Sequence, residues 1–183
     1  MIQLTVLMWT MAALFGYIGF SRGWNKEMIS TAGIILGLFA LFQFDSTLNT
    51  FLIGVPGEQK FLARALIFSV IVFFAYHTRA LIGEEATRPR SRSSGGRDNL
   101  QSSVLGGIIG FLNGYLIWGS LWYFMILDEY PLSPYISAPQ PDSPSARFVE
   151  SLPLYILAGG PGGDGDLLAG AVIFLFLLVL IVI

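Results

Sequence analysis

Two residues within the apolar stretches of this 183-residue chain could do chemistry on type alone, His77 and Asn113. His77 is the single histidine, and Cys is absent. A metal site needs several His, Cys, Asp or Glu ligands converging, and no acidic residue stands near His77. It therefore reads as an interfacial residue close to the end of an apolar run, ahead of a ligand or a proton relay. Asn113 sits near the middle of the run Val104–Leu127. An amide in hydrocarbon must find a hydrogen-bond partner inside the protein, so bonding between helices is the first reading and a transport ligand the second. No Asp, Glu, Lys or Arg falls at an expected midplane, which counts against an ion-coupled pump. There is no phosphate-binding GxxxxGK[ST] loop, no HExxH and no nucleophile elbow. The expectation is a protein that is not an enzyme and holds no cofactor and no metal.

The strongest spacing signal is glycine. Gly106, Gly110 and Gly114 lie four apart, and Gly33 and Gly37 repeat the pattern earlier. Residues four apart share a helix face. A face of glycines is a groove that admits another helix closely, and such packing drives helix association in lipid. The two grooves could pack on each other, on a second copy or on other membrane proteins. A lining for a pathway is the alternative.

The elements that carry these residues follow from composition. Hydrophobic residues make up 54% of the chain and charged ones 12%, against about 25% charged in ordinary soluble domains. Mean hydropathy is +0.68. Five apolar runs stand out: 3–20, 28–44, 65–82, 104–127 and 167–183. Each is near the ~20 residues that cross a bilayer as a helix, and none alternates as a barrel strand would. The fold class is all-α, a polytopic membrane bundle of four to five helices. A four-span core covers 1–127. A Pro/Gly-rich loop covers 128–166, with seven prolines from Pro131 to Pro161. Within that loop, 145–157 could form a short amphipathic helix lying on the leaflet, with Phe148, Leu152 and Tyr155 on one side and Pro153 interrupting it. Residues 167–183 form the fifth and shortest run. The connection 45–64, with Gly54, Pro56 and Gly57, reads as a loop.

Seven of the ten basic residues fall in the first and third connections, and only Lys60, Arg64 and Arg147 fall on the other side. Lys and Arg accumulate on the cytoplasmic side. This puts the 83–103 loop inside, and the N-terminus and the Pro-rich loop outside. Arg88, Arg90 and Arg92 could also hold anionic lipid headgroups. The net charge of −2 gives no footprint for nucleic acid. The lipid bilayer is the one obligatory partner.

The stretch Arg22-Gly23-Trp24-Asn25-Lys26-Glu27 and the run Leu105-Gly106-Gly107-Ile108-Ile109-Gly110-Phe111-Leu112-Asn113-Gly114 resemble the RGxxxE signature and the LGxxxGxxRG span of the colicin V production protein (CvpA-like) family. The likeness covers roughly residues 1–155. Asn113 stands where the family commonly has a basic residue, and the terminal run is an addition. The resemblance implies a multi-pass protein of the bacterial inner membrane, linked to production or export of a peptide toxin and to envelope homeostasis. It makes Arg22, Gly23, Glu27, Gly106, Gly110 and Gly114 motif positions, with Arg22 and Glu27 expected to pair or to share a hydrogen-bond network at the first turn. Two other readings stand beside it. One is an accessory subunit of a respiratory or photosynthetic complex, and the other a small channel component.

Overall fold

A computed structural model describes residues 3–82, 96–160 and 162–182. Arg88, Arg90 and Arg92 lie outside these residues. Four helices are long and apolar enough to cross a membrane. They belong to α1 (Leu4–Arg22), α2 (Trp24–Gln43), α4 (Gly57–Ile82) and α5 (Gly96–Leu127). The shorter α3 (Asp45–Phe51) joins α2 to α4. After α5 come α6 (Pro144–Phe148), α7 (Pro153–Ala158) and α8 (Asp166–Val182). No strand occurs among the described residues.

Three boundaries differ from the sequence expectation. The polar stretch 21–27 is hardly a break, because Gly23 alone separates α1 from α2, at φ +82°. A left-handed φ suits a residue without Cβ, so one glycine reverses the chain. The expected loop 45–64 contains α3 and the first two turns of α4. Helix α4 starts directly after Pro56, whose carbonyl accepts from Gln59 and Lys60 N–H, and Glu58, Gln59 and Lys60 all favour helix. The expected loop 83–103 likewise ends early, since α5 begins at Gly96 and nothing from Arg97 to Ser103 breaks a helix.

Chain order alternates helix direction. α1 and α5 run antiparallel and make the closest pair, meeting at Gly16, Gly19 and Gly23 on one side and Gly106, Gly107 and Gly110 on the other. A Cβ on Gly110 would lie 2.5 Å from the Phe15 carbonyl oxygen, and one on Gly114 would lie 2.7 Å from Ala12 Cα. Gly33 and Gly37 face α4 instead, where a Cβ would meet Ala75 Cβ at 2.5 Å and Ile71 Cγ2 at 2.7 Å. The two glycine faces therefore do not meet each other, and each is filled by a helix of the same chain. Ile34, Leu38, Phe68, Met8 and Trp122 form the buried centre. Leu66, Phe73, Phe74 and Ile108 point outward, as a lipid-facing surface requires.

The Pro-rich segment folds inward onto the bundle. Ser143 caps α6 by accepting from Ala146 N–H, and Pro144 and Pro153 occupy first turns where a missing N–H costs nothing. Leu152 is fully buried. Phe148 stacks on Trp122 and meets Trp9 edge-on. The Tyr115 hydroxyl donates to the Ser151 carbonyl. Helix α7 ends on Gly159 at φ +84°, with the Gly160 N–H bonded to the Tyr155 carbonyl at 2.8 Å, a left-handed glycine cap. Just past α5, outside the spans, the Tyr130 hydroxyl accepts the indole N–H of Trp122 at 3.1 Å. Burial pushes that phenol up and the indole bond opposes the shift. α8 has 17 residues, about 25 Å at 1.5 Å per residue, and packs on α2 and α7.

Candidate functional site

Helix α2 places Glu27, Ser30 and Thr31 on one face, since residues three and four apart are neighbours. All three are buried, and Glu27 is 0% exposed. Burying a carboxylate costs several kcal/mol unless partners surround it, and here they come from three other helix positions. Arg22, at the end of α1, donates Nη1 to Glu27 Oε1 at 2.6 Å. Tyr76 of α4 donates its hydroxyl to Oε2 at 3.2 Å. Asn113 of α5 donates Nδ2 to the same oxygen at 2.9 Å.

Asn113 can face only one way. Its NH2 must point at Glu27, because an ionised carboxylate only accepts. Its Oδ1 then receives the Thr31 hydroxyl at 2.7 Å. Both ends of the amide are satisfied, as an amide at that depth requires. Arg22 does more than pair. Its Nη2 donates to the Tyr76 carbonyl at 3.1 Å, and its guanidinium lies 4.4 Å from the Tyr76 ring centroid, within cation–π range. One network thus joins α1, α2, α4 and α5. The short turn is tied to α4 and α5.

A second cluster lies at the other end of the bundle. Arg64 of α4 donates Nη1 to both oxygens of Asp128 at 2.6 Å. Its Nε and Nη2 donate to Asp45 Oδ1 at 3.2 and 2.9 Å, and Nη2 also reaches Asn49 Oδ1 at 2.8 Å. All three guanidinium nitrogens have acceptors. Side chains of Arg64 and Asp128 are each 6% exposed, and Asp45 is 40% exposed. The cluster links α3, α4 and the residue after α5.

The structure brings Arg22, Glu27 and Asn113 together with Tyr76 and Thr31. Gly23 stands beside them at the turn, where a Cβ would lie 3.1 Å from Ser102 Oγ. Gly33, Gly37, Gly106, Gly110 and Gly114 hold the helices around the network without touching its charges. His77 is exposed, stacked on Phe73 at 4.1 Å, with Nδ1 at 2.8 Å from the Phe73 carbonyl. Only a protonated Nδ1 can donate there. Two charges expected outside the spans, Glu27 and Arg64, are instead buried within α2 and α4. Asp45 and Asn49 carried a faint signal as an i, i+4 polar pair, whereas Asp128 carried none, standing 64 positions from Arg64. Among the described residues, no group of three or more His, Cys, Asp or Glu could hold a metal ion. What the first cluster can do is hold four helices in one register through charge-assisted bonds.

Compared with protein families, residues 4–152 match the model of the colicin V production protein family. No curated protein and no solved structure matches the chain.

Proposed function

The chain belongs to the colicin V production protein family, and from that premise we propose that it is a non-catalytic protein of the bacterial inner membrane that serves production or export of a colicin V-like peptide toxin and, more broadly, envelope homeostasis. The observation that carries this reading is the family match over 4–152, a range that takes in all four long apolar helices. The convergence of the motif residues Arg22 and Glu27 on one buried network with Asn113 supports it. The proposed orientation has the N-terminus outside and 83–103 in the cytoplasm, following the bias of basic residues. Association with further copies belongs to the proposal too. With the glycine faces filled by α1 and α4, it would use the outer faces of α4 or α8. Anionic lipid at Arg88, Arg90 and Arg92 is the remaining proposed contact.

The test is a strain lacking this chain that expresses a peptide toxin with its exporter. Secreted toxin activity and detergent sensitivity are measured with and without the restored gene, and with Glu27→Gln. The expected result is reduced secretion or a leaky envelope, corrected by the wild-type chain and not by the variant. Unchanged secretion together with an unchanged envelope would overturn the reading.

A further inference from the structure

The connection from α2 to α4 does not look like a segment that rests in water. Phe44, Phe51 and Ile53 are 61, 81 and 77% exposed, in a stretch too short to span anything. Leu48, Leu52 and Val55 are half-buried beside them. The polar side of α3 is held elsewhere, with Asp45 and Asn49 bonded to Arg64 and to each other. The segment is therefore amphipathic, with Asp45 and Asn49 turned inward to a charged anchor, Leu48 packed on the core, and an apolar side of Phe44, Phe51 and Ile53 left exposed.

Its surroundings identify the occupant of that apolar side. The chain leaves one long apolar helix at Gln43 and enters the next at Gly57, so the connection must lie at a bilayer surface. The exposed Leu62 and Leu66 continue the apolar surface into α4. No Lys or Arg occurs between Lys26 and Lys60, so electrostatic docking on headgroups is not what holds it. We propose that 44–55 is a lipid-interface element, with Phe44, Phe51 and Ile53 inserted among the acyl chains of the nearer leaflet. The Asp45–Arg64–Asp128 cluster fixes this element to α4 and to the end of α5. A helix lying in the interface plane behaves in this way. Here the anchoring runs through one buried arginine, so a change in the depth of α3 is passed to two spans.

The chain has no cysteine, so single nitroxide labels can be placed without background. The full-length protein, in phosphatidylethanolamine/phosphatidylglycerol liposomes, carries a label on Phe51→Cys, Ile53→Cys, Ser46→Cys or Thr50→Cys in turn. Accessibility to oxygen, which partitions into lipid, is compared with accessibility to a water-soluble nickel chelate. Labels at 51 and 53 are expected to favour oxygen several-fold over labels at 46 and 50. Equal nickel access at all four positions would overturn the proposal. Low access to both reagents at 51 and 53 would also overturn it, because a protein surface would then cover them. Adding Asp45→Asn should raise the mobility of the label at 51, and unchanged mobility would remove the link to Arg64. All four labelled positions are exposed, so the labels do not disturb the buried core.

Discussion

Alanine at Gly110 and alanine at Gly107 should behave oppositely, although the positions lie three apart on one helix. At Gly110 the new Cβ would stand 2.5 Å from the Phe15 carbonyl oxygen and 2.9 Å from Gly19 Cα, where ordinary contact starts at 3.4 Å. Both neighbours are backbone, so no side chain can rotate away and α1 must withdraw from α5. Relief takes roughly 0.5–1 Å, and a gap of that size forfeits a quarter to a half of each affected dispersion contact. At Gly107 the nearest atoms are the Gly16 carbonyl oxygen and Phe20 Cβ, both at 3.5 Å, which is ordinary contact. Helix propensity favours alanine over glycine at both sites by up to about 1 kcal/mol and cancels in the comparison. What is left is the overpacking cost alone, about 1–3 kcal/mol. That difference corresponds to roughly a 5- to 150-fold change in the folded ratio. Reversible unfolding in mixed micelles, titrated with a denaturing detergent, measures it directly. A difference below about 0.5 kcal/mol, or a Gly107→Ala variant weaker than Gly110→Ala, would refute the close backbone approach of α1 and α5.

The ion pair at the first turn should be asymmetric. Glu27 is 0% exposed and Arg22 is 23% exposed, so Arg22→Gln strands a buried carboxylate at a cost of about 3–5 kcal/mol. Glu27→Gln leaves a guanidinium that can turn toward water and should cost less, with the order read from thermal unfolding in detergent. Equal or reversed losses would contradict the burial. Arg64→Lys should be nearly as destabilising as Arg64→Gln, since one ammonium cannot replace a five-donor fork; rescue by lysine in the same assay would refute the geometry. His77→Ala should shift stability by no more than about 0.5 kcal/mol, as expected of an exposed position, and a larger loss would point to a role beyond its stack on Phe73.

The four long helices and their order were legible because hydrocarbon thickness imposes one length on every span and excludes polar side chains from most of it. The resemblance at Arg22–Glu27 and Gly106–Gly114 was legible as spacing. The network's other members were not. Tyr76 carried no signal, because nothing local distinguishes a phenol facing lipid from one facing a buried carboxylate. Arg64 was read as a topology charge for the same reason. A window of sequence around it shows a basic residue after Glu58 and Lys60, while the acceptors that bury it lie 19 positions before and 64 after. The inward fold of 144–158 was hidden differently. Its prolines signal broken helix correctly, but the notch that receives Pro153 is made by the absence of a side chain at Gly119, on a helix far away in sequence.

The α1–α5 contact also sets a timetable for biogenesis. Gly19 and Gly110 are separated by about 90 residues, and at 5–20 residues per second the first helix is made roughly 5–20 seconds before its partner exists. During that interval Glu27 has entered α2 without Asn113 or Tyr76. Arg22 is already there, five positions earlier in the chain, so the one partner that neutralises the carboxylate is synthesised before it. The other two arrive in order, Tyr76 and then Asn113, and the glycine face of α5 can close on α1 only at the end. Insertion of this protein is thus expected to proceed with its most costly charge guarded locally from the start, and to be completed by a late contact that the nascent chain cannot make until the fourth long helix has left the ribosome.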